Sequence, residues 1–270
     1  MDLPVNRFKQ GLASGEFLYG LWLGLPNNTA AEIAASAGFD WLVIDHEHAP
    51  FEISDVLTHL QVIAAYDVAA VVRPVSGDPK LLKKLLDIGV QSFVVPMVET
   101  AEQARAIVDA LHYPPRGSRG VGTALARGAQ WNQIPDYLHK ANDEICLIVQ
   151  AETALAMDNL DDILAVDGVD GVFIGPSDLA ASMGHIGDTG NPEVVESINN
   201  ALQRIAASGK SGGMFCLNAA LLDDYRAKGA SFAGIGLDTL ILAQGSRALL
   251  QQFKSGHTGQ DSQAQPQAGY

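Results

Sequence analysis

Short apolar segments alternate with amphipathic segments along the chain, and this alternation predicts eight strand–helix units. The strand candidates are continuous apolar runs, as expected for parallel strands that are buried on both faces. Strict alternation of strands and helices is compatible with a closed barrel or with an open doubly wound sheet. Eight units, without a GxGxxG turn after the first strand, favour a (β/α)8 TIM barrel. The predicted strands are Leu18–Leu25, Asp40–His48, Ala69–Val75, Ser92–Val98, Ile145–Glu152, Gly171–Pro176, Gly212–Leu217 and Phe232–Asp238.

Helix-capping residues and two unusual segments complete this prediction. Asn28 or Thr29 can cap the helix after the first strand, and Asp78-Pro79 has N-cap and N1 chemistry before another helix. Residues 114–134 form a long connection that contains three arginines and no acidic residue. We expect one barrel domain over residues 1–255. The Gln-, Gly- and Ser-rich residues 256–270 are expected to form a flexible tail.

Composition and charge exclude several classes of partner. The chain has 17 basic and 31 acidic residues, and this net charge of −14 would repel nucleic acid and acidic membrane surfaces. Cys146 and Cys216 lie in apolar runs, as expected for buried thiols in a reducing compartment. The chain shows no apolar signal segment and no window of about 18 uninterrupted apolar residues, so we expect a cytoplasmic protein.

Polar residues interrupt the apolar runs where the predicted strands end, which is where the active site of a TIM barrel lies. Gln150 and Glu152 are two residues apart on one strand and therefore point to the same face. Asp178 follows the next strand, so Glu152 and Asp178 can converge. Two carboxylates with open positions suit a hard divalent ion such as Mg²⁺ or Mn²⁺. Each also precedes a helix, and an N-cap is the alternative role.

Three further polar residues have both a catalytic and a structural interpretation. His48, in the segment DHEH, lacks HExxH spacing and is either a general base or a structural histidine. Arg73 ends a buried strand, where a guanidinium needs an anion from the protein or from a substrate. Asp87 lies near the end of a predicted helix, an unfavourable place for a carboxylate, and has either a specific partner or solvent around it.

The positions of the lysines argue against catalysis through a Schiff base and favour a metal-dependent route. All eight lysines fall in predicted helices, in connections or near the chain ends, and none closes a strand. A Schiff-base enzyme would need a lysine in the barrel.

The chain resembles the 4-hydroxy-2-oxoheptane-1,7-dioate aldolase family, the class II pyruvate aldolases of the phosphoenolpyruvate/pyruvate barrel superfamily. The resemblance covers nearly the whole chain, from GLWLGL to the last helix. Its most specific motifs are AGFDWLVID, EHAP (Glu47–Pro50), VVRP (Val71–Pro74), VPMV (Val95–Val98), YPPRGSRGVG (Tyr113–Gly122), WNQIPDYLHKAND (Trp131–Asp143), VQAET (Val149–Thr153) and DGVFIGPSDLAASMG (Asp170–Gly184).

The resemblance implies catalytic roles for three residues. His48 would handle the substrate hydroxyl proton, Asp87 would raise the basicity of His48, and Arg73 would stabilise the developing negative charge. The implied reaction is the reversible cleavage of a 4-hydroxy-2-oxo acid to pyruvate and an aldehyde, with hydroxypyruvate as a further donor and a role in the breakdown of aromatic compounds.

The resemblance also implies a metal site, a substrate site and an assembly. Glu152 and Asp178 would hold Mg²⁺, Mn²⁺ or Co²⁺, while Gln150, Ser177 and Asp178 would contact the pyruvate moiety. The implied assembly is a homohexamer, a dimer of trimers, in which the last helix packs on a neighbouring subunit. His46 departs from the family pattern, in which a smaller residue such as glycine is expected.

Two alternatives remain open. The first is a lyase of the citrate-lyase-β or malyl-CoA type, in which Arg116, Arg119 and Arg127 of the long connection would bind a nucleotide phosphate. The second is a barrel without activity that binds a metabolite. Within the aldolase interpretation, succinic semialdehyde, short hydroxyaldehydes and glyoxylate are all admissible acceptors.

Overall fold

A computed structural model, which describes residues 2–255, forms a closed barrel of eight parallel strands in the order β1 to β8. This confirms the predicted (β/α)8 barrel. The predicted flexible tail, residues 256–270, lies outside the described residues. The strands are β1 Leu18–Leu23, β2 Trp41–Asp45, β3 Ala69–Arg73, β4 Ser92–Val95, β5 Cys146–Ala151, β6 Gly171–Ile174, β7 Ser211–Phe215 and β8 Ala230–Leu237.

Twelve α-helices lie within the described residues and surround or extend the barrel. Two additional 3₁₀ segments, Arg127–Asn132 and Ala141–Glu144, lie between β4 and β5. The α-helices are α1 Arg7–Ser14, α2 Asn28–Ala35, α3 Ile53–Ile63, α4 Pro79–Asp87, α5 Ala101–Leu111, α6 Tyr137–Lys140, α7 Ala154–Asp158, α8 Leu160–Leu164, α9 Pro176–Ser182, α10 Pro192–Ala207, α11 Ala219–Ala227 and α12 Asp238–Ser255.

Side-chain hydrogen bonds set where several elements begin and end. Asp78 caps α4 as predicted, but the cap of α2 is Asn27, whose side chain accepts the N–H of Ala30 at 3.1 Å, and not Asn28 or Thr29. The single helix predicted after β5 is two short helices that meet at Asn159. The side-chain amide of Asn159 donates to the carbonyl of Glu99 at 2.9 Å.

Large aromatic rings and glycines fill the interior of the barrel together. The rings of Trp41 and Phe232 occupy space that a Cβ atom at Gly20 or Gly213, respectively, would enter. Such pairing of large and small residues fills a barrel without voids. At the amino-terminal end, Phe8 of α1 packs on Trp41 and Phe232, with ring centroids 5.3 and 5.6 Å apart. Helix α1, which sequence analysis missed, therefore closes the amino-terminal end of the barrel.

The last helix, α12, does not pack into the barrel core. None of its residues is buried. Leu242, Leu249 and Phe253 share one face because their spacings of seven and four residues match the helical period. These side chains are 60%, 58% and 67% exposed. No helix among residues 2–255 is long and apolar enough to cross a membrane.

We predict that Gly213→Ala lowers the free energy of unfolding by about 1–3 kcal/mol, because the added methyl group overlaps the Phe232 ring. Adding Phe232→Leu to this variant should recover part of the loss, and equilibrium denaturant unfolding of both single variants and the double variant measures the coupling. Gly122→Ala is the control, since nothing lies within 4 Å of a Cβ atom there. Strictly additive effects at residues 213 and 232 would contradict the prediction.

Candidate active site

Six of the seven predicted site residues lie at the carboxyl-terminal edge of the barrel, on the segments that end β2, β3, β5 and β6. Parallel strands bring these ends to one edge, so residues distant in the sequence become neighbours. The six residues are His48, Arg73, Gln150, Glu152, Ser177 and Asp178.

The anion that Arg73 was expected to need is Asp45, which sequence analysis did not single out. Asp45 and Arg73 end the adjacent strands β2 and β3 and are paired in register. Arg73 Nε lies 2.9 Å from Asp45 Oδ1, and Nη2 lies 2.6 Å from Oδ2. Their side chains are only 13% and 8% exposed. Arg73 is thus held by a bidentate ion pair in a largely buried position.

Asp45 also shapes the turn that carries the next two polar residues. Its Oδ1 atom accepts the backbone N–H groups of Glu47 and His48 at 3.1 and 3.3 Å. Glu47 in turn contacts Arg73, with Oε2 3.1 Å from Nη1. The two hydrogen bonds to Asp45 and the ion pair with Glu47 occupy at most three of the five N–H donors of the guanidinium, so donors remain for a substrate oxygen.

Glu47 and His48 differ strongly in exposure. The side chain of Glu47 is 15% exposed and that of His48 is 68% exposed, with His48 Nε2 3.6 Å from Glu47 Oε2. Burial raises the pKa of Glu47, while the positive charges of Arg73 and His48 oppose this shift. His48 therefore stands at the accessible rim, where a bound molecule or water can reach its ring.

Glu152 is a buried carboxylate at the end of β5. Its Oε1 atom accepts the N–H of Met97 at 2.9 Å, and Oε2 accepts the side-chain amide of Gln150 at 2.7 Å. Burial raises the pKa of Glu152, the charge of Asp178 raises it further, and the two hydrogen bonds lower it. Gly175 is required beside it, because a Cβ atom at Gly175 would overlap Glu152 Oε2.

The charge of Asp178 acts on two of the carboxylates at this edge of the barrel. The negative charge of Asp178 raises the pKa of both Glu152 and Glu47. Asp178 and Ser177 are exposed on the first turn of α9. Among residues 2–255 no group of three or more His, Cys, Asp or Glu side chains has the arrangement of a metal site.

Asp87 is the one predicted site residue that lies elsewhere. It ends α4, just before the segment that leads to the first residue of β4, and so lies at the amino-terminal edge of the barrel. Its Oδ1 atom is 3.1 Å from Nη2 of Arg119, whose side chain is 1% exposed. Arg119 is therefore the specific partner that the unfavourable position of Asp87 at a helix end indicated. Within one chain, Asp87 does not lie near His48.

Besides Asp45, sequence analysis missed three residues that shape the candidate active site. Glu47 was part of the recognised DHEH segment, and its position beside Arg73 follows from the turn after β2. Met97 presents its N–H to Glu152 from a left-handed conformation (φ 57°), which no glycine or asparagine in the sequence signals. Gly175 could be found only once the position of Glu152 was known.

Comparison with known proteins identifies the family of the chain. Residues 18–244 match the HpcH/HpaI aldolase/citrate lyase family. The chain is similar to a hydroxypyruvate/pyruvate aldolase of Deinococcus radiodurans, with 53% identity over 269 residues that cover 100% of this chain and 97% of the relative. It is also similar to a 4-hydroxy-2-oxo-heptane-1,7-dioate aldolase of Salmonella typhi, with 53% identity over 92% of this chain and 94% of the relative.

A solved structure gives the same result at the level of the fold. An HpcH/HpaI aldolase/citrate lyase family protein from Burkholderia cenocepacia superposes with a TM-score of 0.88 and 38% identity, covering 93% of this chain and 100% of that protein. The barrel, the polar groups at its carboxyl-terminal edge and these relatives agree, and the chain belongs to the HpcH/HpaI aldolase/citrate lyase family of carbon–carbon lyases.

Proposed function

We propose that the chain is a divalent-metal-dependent class II aldolase that cleaves 4-hydroxy-2-oxo acids to pyruvate and an aldehyde and catalyses the reverse addition. The observation that carries the proposal is the fixed cation of Arg73 at the same edge of the barrel as the coupled carboxylates Glu152 and Asp178. Relatives at 53% identity are named for 4-hydroxy-2-oxo-heptane-1,7-dioate and for hydroxypyruvate/pyruvate, which supports both as substrate classes.

The oxygen atoms around Glu152 fit a hard divalent cation. Glu152 and Asp178 would hold the ion, and a cation would offset the burial and the weaker repulsion from Asp178 that together raise the pKa of Glu152. Gln150 Oε1 is a buried acceptor without a hydrogen-bond partner among residues 2–255, so this region has unused acceptor capacity. Water and substrate would complete the coordination. Mg²⁺, Mn²⁺ and Co²⁺ all suit such a site, and a bound ion supplies Lewis-acid polarisation of the keto oxygen of the 2-oxo acid.

The residues of the chain divide the remaining chemistry between them. His48 accepts the C4 hydroxyl proton of the substrate, directly or through water, and the C3–C4 bond breaks to release the aldehyde. The electron pair of this bond passes to the keto oxygen as the pyruvate enolate, whose negative charge Arg73 stabilises. The proton that His48 accepted, or one from water that exchanges with it, then adds to C3 and gives pyruvate. Gln150, Ser177 and Asp178 contact the pyruvate moiety.

The proposed pairing of Asp87 with His48 requires a second copy of the chain. Within one chain Asp87 lies at the amino-terminal edge, in contact with Arg119, and His48 lies at the carboxyl-terminal edge. The pairing thus belongs with the proposed homohexamer, a dimer of trimers. The exposed apolar face of α12 supports its packing on a neighbouring subunit, because a large exposed apolar patch is typical of an interface.

Two of the three arginines of the long connection already have acidic partners, which counts against their binding a nucleotide phosphate as a coenzyme A thioester lyase would require. Arg116 pairs with Asp143 at 2.9 Å, and Arg119 is buried against Asp87. Both lie near the amino-terminal edge of the barrel, so neither is available to a nucleotide at the candidate active site of the same chain.

We predict that pyruvate release from a 4-hydroxy-2-oxo acid stops with EDTA and returns with Mg²⁺, Mn²⁺ or Co²⁺.

Arg73→Ala and His48→Ala should each lower kcat by about 10²-fold or more while the fold is retained, since each removes a group that acts in the transition state. A coupled assay for pyruvate measures the rates, and circular dichroism checks the fold. Arg105→Ala, on the exposed face of α5, is the control. Full activity in EDTA, or wild-type rates in a folded Arg73→Ala variant, would refute the mechanism.

We predict a pH-dependent stability difference between the metal-free wild type and Glu152→Gln. Folding raises the pKa of Glu152 above 4.5, so its stabilising contribution is present below pH 4.5 and is lost as the pH rises through the folded-state pKa. Denaturant unfolding should therefore show Glu152→Gln gaining stability relative to the wild type across this range. Divalent cations should raise the melting temperature of the wild type only. Glu102→Gln, at a side chain that is 82% exposed, is the control. Parallel pH profiles for the wild type and Glu152→Gln would contradict the prediction.

We predict that Phe253→Asp together with Leu249→Asp dissociates the assembly into smaller species, because charges would enter the apolar interface of α12. Size-exclusion chromatography with light scattering measures the mass. Gln251→Asp, on the opposite face of the helix, should leave the mass unchanged. An unchanged mass for the double variant would show that α12 is not part of the interface.

A further inference from the structure

A second cavity lies at the opposite end of the barrel from the candidate active site. It has a volume of about 330 Å³ and is bordered by Ala69 and Ser92, the first residues of β3 and β4, and by Ile145, which precedes β5. These positions define the amino-terminal edge, so the cavity is separated from Arg73 and Glu152 by the length of the strands. None of the roles proposed above uses it.

Within residues 2–255, the charged residues that line this cavity are all arginines. Arg7, Arg119 and Arg127 contribute to the lining, and no aspartate or glutamate of this region does. This is unusual in a chain with a net charge of −14. Arg7 pairs with Asp67, and Arg119 with Asp87, so two of the three positive charges are balanced by acids outside the lining.

Arg127 is the cation that remains without an acidic partner. No carboxylate of residues 2–255 lies within 4.0 Å of its guanidinium, and its one side-chain hydrogen bond in this region goes from Nη1 to the carbonyl of Ile88 at 3.0 Å. Burial lowers the pKa of Arg127, which shows that its charge is partly removed from water. A partly desolvated guanidinium is a strong binding point for an oxyanion. Behind it, Arg119 adds a buried positive charge whose Nε atom has no hydrogen-bond partner.

The rest of the cavity is apolar on one side and polar on the other. Leu60 and Ile63 of α3, with Leu86 of α4, form part of the apolar wall. Gln91 and Tyr137 contribute an amide and a phenol. An apolar wall beside a guanidinium favours an anion that also has an apolar body, because a fully hydrated ion such as phosphate would lose water without gaining apolar contact.

We propose that this cavity is a second ligand site, which binds a small organic carboxylate through Arg127 with its apolar body against α3 and α4. The cavity lies at the opposite edge of the barrel from the candidate active site of the same chain. Unlike that site, its lining among residues 2–255 contains no acidic residue.

Benzoate is a suitable probe, and the neutral benzamide and inorganic phosphate are its comparators. Isothermal titration of the full-length, metal-free protein should show one benzoate per chain. Benzamide and phosphate should each bind at least about tenfold more weakly, since one lacks the charge and the other lacks the apolar body. Arg127→Gln should weaken benzoate binding by about tenfold or more.

Two further variants and one control keep the test decisive. Ala70→Val places added methyl groups on a residue of the lining and should weaken benzoate binding even if Arg127→Gln folds poorly. Arg73→Ala, in the candidate active site, and Arg105→Gln, an exposed arginine with the same loss of charge, should leave binding within about twofold of the wild type.

Several results would overturn the proposal. No benzoate binding up to about 10 mM, corresponding to roughly −3 kcal/mol, would remove the site. Binding that survives Arg127→Gln and Ala70→Val but is lost in Arg73→Ala would place benzoate in the candidate active site. Equal binding of benzamide or phosphate would rule out recognition of an organic carboxylate.

Discussion

The ion pair between Arg73 and Asp45 is the contact on which the carboxyl-terminal edge of the barrel depends. A buried guanidinium without a partner is costly, and strand register places Asp45 directly opposite Arg73. The same carboxylate accepts the N–H groups of Glu47 and His48, so one side chain balances the cation and shapes the turn beside it. The position of the proposed base is thereby linked to the position of the cation that would stabilise the enolate.

Across the carboxyl-terminal edge from Arg73, where β5 and β6 end, negative charge is in excess. Glu152 and Asp178 repel each other, and Glu47 contributes to the same field although it also contacts Arg73. Hydrogen bonds from Met97 and Gln150 reduce the cost of keeping Glu152 buried and ionised. A cation on this side and Arg73 on the other would surround a bound 2-oxo acid with positive charge, which suits a reaction that places negative charge on one oxygen.

The barrel and most of the candidate site could be predicted from the sequence because both follow from local patterns. Continuous apolar runs identify strands, and the strand ends identify Arg73, Gln150 and Glu152 as residues of one edge. Contacts that depend on three-dimensional detail could not be found in this way. The left-handed conformation of Met97 is imposed by its surroundings, and Asp87 at the end of α4 pairs with Arg119, a residue of the long connection 32 positions further along the chain. The family resemblance assigns Asp87 a role at His48, and a single chain cannot satisfy it.

The interlocking of glycines with aromatic rings inside the barrel has a consequence for how related sequences can diverge. The ring of Trp41 fills the space beside Gly20 on the adjacent strand. In the same way, the ring of Phe232 fills the space beside Gly213. A change in the size of one residue therefore needs a compensating change in the other. The sequence with only the first change has either a cavity or a steric overlap at that position. The sizes of the two residues in each pair should therefore covary in alignments, and combinatorial libraries that vary one member alone would yield mostly destabilised barrels.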